Sequence, residues 1–185
     1  MFYNRISRMN IMELKQAILL IKNENINSSE QTCWADLGCG SGLFTAALAH
    51  LLKPQSTIYA VDKNANALKK LQQQNNVAIE KIHADFIHDK INLSNLDGIL
   101  MANSLHFVQD KISFINKIAK SLKADGYFLI AEYNMDSPNP WVPYPVSYHS
   151  LKLLFEKTGY KFIHQINELP SRYNSANIYS ALIKR

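Results

Sequence analysis

The sequence has few cysteines and no long hydrophobic run. Cys33 and Cys39 are its two cysteines, and their spacing is not the Cys-x-x-Cys of zinc and redox motifs. We therefore expect reduced thiols, no disulfide scaffold, no bound metal and a cytoplasmic location. The longest early apolar run, residues 17–21, is too short to cross a bilayer and is not followed by a small-residue cleavage site. We expect no membrane insertion.

Charge of one sign is not concentrated in any block. The net charge of +5 comes from 20 basic and 15 acidic residues that are mixed along the chain. Binding to nucleic acid normally needs clustered basic residues, so nucleic acid is not favoured as a partner. The length of 185 residues and the 47% hydrophobic composition are those of a folded domain. We expect a single domain over residues 1–185, present as a monomer or a homodimer.

Short apolar runs rich in β-branched residues alternate with longer segments of helical spacing. This alternation is typical of a mainly parallel sheet covered by helices. It predicts strands at residues 33–37, 57–62, 77–84, 96–102, 127–133, 160–166 and 177–183, and helices at residues 10–25, from about 41, 65–74, 111–122 and 150–158. Residues 1–30 are expected to form an N-terminal helical extension, and residues 137–149 a loop rich in proline and aromatic side chains. The last two strands form either a closing hairpin or neighbouring strands at one edge.

A glycine-rich segment, Asp36-Leu37-Gly38-Cys39-Gly40-Ser41-Gly42, joins the first strand to its helix. Glycines there let the backbone approach a ligand, although tight strand-to-helix packing alone also requires glycine. The dinucleotide fingerprint Gly-x-Gly-x-x-Gly is excluded because its third glycine would fall on Leu43 or Thr45. A Walker phosphate loop is excluded because no Gly-Lys-Ser or Gly-Lys-Thr follows.

With an acidic residue two places before Gly-x-Gly-x-Gly, this segment resembles the first motif of class I S-adenosylmethionine-dependent methyltransferases. The resemblance covers about residues 32–133, including Val61-Asp62, Ala84-Asp85-Phe86 and the segments around strands four and five. It implies an α/β fold, a Rossmann-like three-layer sandwich with a mostly parallel seven-stranded sheet whose last strand is antiparallel. It also implies S-adenosylmethionine as cofactor and methyl transfer as the activity.

The resemblance implies a set of cofactor contacts at the strand ends. Asp62 follows strand two, where a carboxylate can accept hydrogen bonds from a ribose diol. By similarity, Asp85 receives the adenine amino group and Phe86 packs on the ring. The methionine end is expected near Asp36 and the loop backbone. The full predicted set is Asp36, Leu37, Gly38, Gly40, Asp62, Lys63, Asp85, Phe86 and Asn103. Each Asp taken alone is also explained by capping of exposed amides.

The acceptor side is expected at the end of strand four and beyond strand five. His106 acts as a general base or packs below the cofactor. Glu132 and Tyr133 close strand five and either line the acceptor pocket or anchor the following loop. Trp141 and Tyr144 either hold an apolar acceptor, with cation–π attraction of roughly 0.5–2 kcal/mol, or fill the underside of their loop. The predicted catalytic residues are His106 and Tyr133, and the substrate-binding residues are His106, Trp141 and Tyr144.

The acceptor class follows from what is missing around strand four. The Asn-Pro-Pro-Tyr or Asp-Pro-Pro-Tyr tetrapeptide of base-amine methyltransferases is absent, and no Pro-Cys segment supplies a nucleophile for cytosine C5. We therefore expect a small-molecule acceptor and direct methyl displacement. Two alternatives stay open: a methyltransferase acting on RNA or protein, and a non-catalytic regulatory protein that binds S-adenosylmethionine.

Overall fold

The computed structural model describes residues 13–26, 30–171 and 176–185, and its centre is a seven-stranded sheet. The strands lie in the order β3-β2-β1-β4-β5-β7-β6. Neighbours from β3 to β5 are parallel, whereas β7 runs antiparallel to both β5 and β6. The strand bounds are β1 Cys33–Leu37, β2 Thr57–Asp62, β3 Ala78–His83, β4 Leu96–Ala102, β5 Leu122–Tyr133, β6 Phe162–Leu169 and β7 Ile178–Lys184. The predicted fold class is confirmed, including the antiparallel final strand.

Helices cover both faces of the sheet and form the outer two layers of the sandwich. Their bounds are α1 Leu14–Ile21, α2 Leu43–Leu51, α3 Ala65–Leu68, α4 Lys111–Ile118 and α5 Tyr148–Lys157, with 3₁₀ turns at Leu105–Phe107 and Ala119–Ser121. Because side chains alternate along a strand, Ala35 packs with α4 and α5 while the adjacent Trp34 packs with α1 and α2. Two buried apolar layers therefore hold β1 and β4 at the centre of the molecule.

The contact between β1 and β4 depends on one glycine. Gly98 lies opposite Trp34 in the register of the two strands. A Cβ atom on Gly98 would come within 2.3 Å of the Trp34 ring, which is fully buried. The absence of a side chain at residue 98 therefore makes room for the Trp34 ring where β1 pairs with β4.

Two predicted helices in the first half of the chain are shorter in the structure. The helix predicted at residues 65–74 ends at Leu68, and the chain then reaches a turn in which Asn75 and Asn76 have positive φ and Gln74 bridges to Val77. The leading helix predicted at residues 10–25 spans Leu14–Ile21, and residues 10–12 lie outside the described residues, as does most of the remaining N-terminal extension.

The second half of the chain also departs from the predicted bounds. Strand β5 begins at Leu122 rather than residue 127, since Leu122 pairs with Leu96 ahead of a bulge, and this early start ends the helix predicted at residues 111–122. The last two strands pair with each other, and β7 lies between β5 and β6. Helix α5 begins at Tyr148 because Ser147 caps it by accepting a hydrogen bond from the Ser150 amide.

Candidate functional site

A cleft opens at the carboxyl ends of the central strands, beside the glycine-rich segment. It lies where the sheet order reverses around β1, which is the usual ligand crevice of an open α/β sheet. Its volume is about 590 Å³ including the open mouth, within the range of small-molecule sites. The lining residues are Gly38, Asp62, Lys63, Asn64, Asp85, Phe86, Ile87, Ser104 and Phe107.

Gly38 brings the first strand close to the end of the fourth. Its amide donates to the Val61 carbonyl at 2.8 Å, and its φ of +79° is a conformation that L side chains rarely adopt. A Cβ atom on Gly38 would lie 2.6 Å from the Ser104 Cβ and 3.0 Å from the Phe86 ring. Ser104 in turn donates its hydroxyl hydrogen bond to the Leu37 carbonyl at 2.6 Å. The floor of the cleft is therefore a close backbone contact with no room for a side chain.

Asp62 lies at the end of β2 and is held by two backbone amides. Its Oδ2 accepts a hydrogen bond from Gly40 at 2.7 Å, and its Oδ1 accepts one from Asn64 at 2.8 Å. A carboxylate offers about four acceptor positions, so two remain for a ligand donor. These bonds orient the carboxylate beside the glycine-rich segment.

Asp85 and Phe86 form the opposite wall, after β3. The Asp85 Oδ1 accepts the Ile87 amide at 3.0 Å, while the Asp85 amide donates to Asp89 at 2.8 Å. The Phe86 ring is fixed by an edge contact with Phe114, with the ring centroids 5.8 Å apart. The Lys63 ammonium lies 4.0 Å from the Asp85 carboxylate, and its side chain is 77% exposed. This wall combines one apolar ring with hydrogen-bond acceptors.

Asp36 lies deeper than the other two strand-end carboxylates. It is 1% exposed and accepts a 2.6 Å hydrogen bond from the Thr45 hydroxyl. Burial raises the pKa of Asp36 to about 7; the Thr45 bond opposes that shift and the Asp62 charge adds to it. This carboxyl links β1 to α2 from inside the protein, while the two outer carboxylates border the cleft.

Asn103 carries a polar atom with an unmet hydrogen-bonding requirement. It follows β4 with φ of +51°, and its amide donates to the Ala131 carbonyl at 2.8 Å. Its side-chain Oδ1 is buried and has no hydrogen-bond partner among the described residues. A buried acceptor without a partner costs about 1–3 kcal/mol, so a ligand that donates a hydrogen bond there would remove the penalty.

His106 and Glu132 form a buried pair on the far side of Ser104. The Glu132 carboxylate lies 2.8 Å from the His106 Nδ1 and also accepts the His106 amide at 3.2 Å. The Tyr133 ring centroid is 6.4 Å from the imidazole, and the half-exposed Phe107 ring is 4.3 Å from it. The structure therefore brings together the two residues that the sequence predicts to be catalytic.

The loop after β5 contains two predicted substrate-binding residues, Trp141 and Tyr144, and one of them contacts His106. The Tyr144 amide donates to the His106 carbonyl at 3.0 Å, and the Lys111 ammonium donates to the Tyr144 carbonyl at 2.7 Å. Burial lowers the pKa of Lys111, while the Glu132 charge acts in the opposite direction. The Trp141 side chain, by contrast, is 83% exposed in the turn closed by the Asn139–Val142 bridge. Tyr144 therefore lies at the pair and Trp141 points to solvent.

Four lining residues were not predicted individually: Asn64, Ile87, Ser104 and Phe107. A sequence signal exists for Ser104 and Phe107, since both follow β4 directly in the segment that faces the cleft. Asn64 and Ile87 line the cleft because each lies two residues after an aspartate whose side chain accepts a hydrogen bond from the backbone amide of that residue, which turns the chain. Across the described ranges there is no grouping of His, Cys, Asp and Glu suited to a metal ion, and no helix of a length and apolarity that would traverse a bilayer.

Comparison with known proteins agrees with this geometry. A sequence model of the family described as "Methyltransferase domain" matches residues 35–128, which include the glycine-rich segment and the strand ends around the cleft. The chain belongs to this family. The predicted membership of the class I S-adenosylmethionine-dependent methyltransferases is thus confirmed, and with it S-adenosylmethionine as the family's cofactor.

Individual relatives of this methyltransferase domain are distant. An O-methyltransferase, cnsE, of Penicillium expansum is 27% identical over 143 residues, which cover 69% of this chain and 51% of that protein. The chain spans about half the length of the curated relatives it matches. A methyltransferase structure from Aquifex aeolicus superposes with a TM-score of 0.60 at 16% identity, covering 95% of this chain and all of that one. The mitomycin 7-O-methyltransferase MmcR superposes with a TM-score of 0.62 at 18% identity, over 93% and 53% of the two chains.

The residues around the cleft fit the family's cofactor. Asp62 and Asp85 offer carboxylate oxygens to hydroxyl and amino groups, and Asn103, directly before the lining residue Ser104, carries an unpartnered Oδ1 acceptor. The Phe86 ring offers an apolar surface, and Gly38 presents only backbone at the cleft floor. These contacts are compatible with a ligand that carries a diol, a flat heterocycle and a charged tail.

Proposed function

We propose that this chain transfers the methyl group of S-adenosylmethionine to a small-molecule acceptor. The observation that carries the proposal is the adjacency of two kinds of surface at the end of β4. Ser104 lines the cofactor cleft directly after Asn103, and His106 follows two residues later beside Tyr133 and Tyr144. A cofactor in the cleft and an acceptor beside His106 would thus be separated by a single short turn.

We assign a cofactor contact to each of these residues from the chemistry of its side chain. Asp62 receives the ribose hydroxyls, Asp85 the adenine amino group and Asn103 a donor from the cofactor, while Phe86 packs on the adenine. When bound, S-adenosylmethionine supplies a methyl group already activated by a sulfonium centre. The protein's task is therefore to align the acceptor and to exclude water. Phe107 is placed to exclude water, because its half-exposed ring lines the cleft.

Support for a small acceptor comes from two sides. The basic residues are mixed with acidic ones along the sequence, which is unlike the clustered basic residues that bind nucleic acid. The relatives named as O-methyltransferases include one whose name gives mitomycin as its acceptor. RNA or protein as acceptor and cofactor binding without turnover are the competing functions.

The test is methyl incorporation from a donor labelled in its methyl group. Purified protein is incubated with a small-metabolite extract, with total RNA and with denatured cellular protein in separate reactions. We expect label in the low-mass fraction and, in the same fraction, at least a tenfold smaller signal with Asp62→Ala. Label in RNA or protein alone would contradict the small-molecule assignment, and saturable donor binding with no label in any pool would favour the regulatory alternative.

A further inference from the structure

A second cavity, which we call the α4 cavity, lies between the sheet, α4 and the chain that connects β3 to β4. The faces of a parallel sheet are usually covered by helices. Here residues 84–95 pass from β3 to β4 as turns and extended chain, without a helix. The space left beside α4 has a volume of about 440 Å³ including its open mouth. This volume lies within the range of small-molecule sites.

The base of the α4 cavity is apolar and elongated along the strands. It includes Leu37 of β1 and Leu96 and Ile99 of β4, all of which are buried. Asp36 pairs with Leu100 in the register of the two strands, so Leu37 lies about five residues, or roughly 16 Å, along the strand direction from Leu96. A straight hydrocarbon chain matches this shape.

Partly buried aliphatic side chains form the walls of the α4 cavity. Ile91 and Leu93 belong to the β3–β4 connection, and Ile118 is the last residue of α4. Apolar atoms that line a void lose the dispersion contacts that a filled space would give them. A hydrocarbon chain would supply these contacts, and its affinity should rise with the apolar area that it covers.

The mouth of the α4 cavity is polar and has an excess of positive charge. Asp89 and Lys117 are exposed lining residues. Two more exposed lysines, Lys90 and Lys120, directly neighbour the lining residues Asp89 and Ser121. Because the cationic groups outnumber the carboxylate, the mouth favours a ligand whose polar end is an anion.

The two charged lining residues differ in how strongly the protein already engages them. The Asp89 carboxylate accepts a hydrogen bond from the Asp85 amide at 2.8 Å. The Lys117 ammonium lies 3.5 Å from the Ile87 carbonyl, beyond the usual length of a hydrogen bond. The ammonium therefore has donor capacity left for a ligand, while part of the Asp89 charge is compensated.

We infer that the α4 cavity is a second ligand site, which binds an aliphatic monocarboxylate with its chain along the sheet and its carboxylate at Lys117. Phe86 connects this site to the cofactor cleft, because it lines both spaces. A chain that packs against Phe86 orders the same ring that packs on the adenine. Occupancy of the α4 cavity therefore strengthens cofactor binding, and the cofactor strengthens carboxylate binding by the same factor. This coupling rests on the proposed function, whereas the site itself does not.

The first test is calorimetric titration of the cofactor-free wild type with octanoate, with octylamine as the cationic control. We expect saturable octanoate binding with a Kd of about 1 mM or tighter. From butyrate through hexanoate to octanoate, the affinity should rise about three- to fourfold for each added methylene. Octylamine should bind at least about threefold more weakly than octanoate. Absence of saturable octanoate binding would overturn the site, and equal affinity for octylamine would overturn the role of Lys117.

Two pairs of variants locate the ligand. Leu93→Trp places a larger side chain on the wall, and Leu153→Trp makes the same change on α5, where Leu153 is 46% exposed. We expect octanoate affinity to fall at least about tenfold in the first variant and to stay unchanged in the second. Lys117→Gln should weaken octanoate binding by about two- to fivefold, while Lys157→Gln at the end of α5 should not. Wild-type affinity in a folded Leu93→Trp or in Lys117→Gln would contradict this placement.

The coupling is tested by measuring the Kd of S-adenosylhomocysteine with and without saturating octanoate. We expect the Kd to fall by about fivefold or more in the wild type and to stay constant in Leu93→Trp. An unchanged Kd in a wild type that binds octanoate would overturn the coupling through Phe86. A wild type that binds octanoate but neither S-adenosylmethionine nor S-adenosylhomocysteine would contradict the proposed function and support the site, so the two failures are distinguishable.

Discussion

Replacing Gly38 by alanine tests the close contact at the floor of the cleft, and Gly40→Ala is its matched control. Both glycines have positive φ, +79° and +54°, so either substitution places an L residue in the left-handed region. That cost is about 1–2 kcal/mol. The two positions differ in their surroundings: the Cβ atom at residue 38 meets Ser104 and Phe86, whereas nothing lies within 4 Å of the Cβ atom at residue 40.

The expected magnitudes follow from this difference. Gly40→Ala should lower the free energy of unfolding by about 1–2 kcal/mol, from the backbone alone. Gly38→Ala should lose the same amount plus about 1–3 kcal/mol of overpacking, because the Ser104 Cβ would be only 2.6 Å away. The total of about 2–5 kcal/mol corresponds to a fall in Tm of roughly 4–20 °C for a domain of this size.

Urea unfolding of cofactor-free protein, followed by tryptophan fluorescence, measures both variants on the same scale. We expect Gly38→Ala to be less stable than Gly40→Ala by at least about 1 kcal/mol. We also expect weaker cofactor binding in Gly38→Ala, because the new Cβ atom displaces Ser104 and Phe86, which line the cleft. Equal losses of stability in the two variants would refute the contact between the glycine-rich segment and the end of β4.

Three further predictions concern Asp36, Gly98 and Trp141. The raised pKa of Asp36, about 7 against 3.8, means that the folded protein retains a proton that the unfolded chain has lost, so this group's contribution to stability falls as the pH rises from about 4 to 7. Urea unfolding should show Asp36→Asn gaining up to about 4 kcal/mol on the wild type over that range, and a pH-independent difference would contradict the burial argument. Gly98→Ala should lower the free energy of unfolding by about 1–3 kcal/mol or more, because the new Cβ atom overpacks against Trp34, and an unchanged melting curve would contradict the β1–β4 packing. Trp141→Ala should change the unfolding free energy by less than about 0.5 kcal/mol and raise the KM for the acceptor, and a large loss of stability would mean that Trp141 supports its loop instead.

The sequence predicts the bounds of a strand correctly where the strand is apolar and ends abruptly. The bounds of β1, β2 and β4 match the prediction because each is a short buried run that ends at a polar residue or turn. The start of β5 was missed because Lys123, Ala124 and Asp125 do not look like a strand; they extend β5 through a bulge and the Lys123–Asp97 ion pair, which depend on the neighbouring strand. Tertiary pairing decided that boundary, and local propensity did not.

The sequence predicts individual residues of the site, but it does not predict which side chains contact one another. Parallel strands bring their carboxyl ends to one edge, so Asp62 and Asp85 were expected beside the cleft. The burial of Asp36 against Thr45 depends on how α2 packs, and no local pattern reports it. The contact of Glu132 with His106 crosses between β5 and β4, so only the register of those strands brings the two residues together.

The most direct test of the central claim is calorimetric binding of S-adenosylmethionine and S-adenosylhomocysteine, with NAD as a control ligand. We expect micromolar binding of both sulfur compounds and none of NAD. We also expect Asp62→Ala to weaken binding by about 1.5–3 kcal/mol, roughly 10- to 150-fold, whereas Asp125→Ala, which removes an exposed carboxylate at the opposite end of the sheet, has no effect. Absence of binding to either sulfur compound, or equal affinity in folded Asp62→Ala and wild type, would contradict the assignment of the cleft.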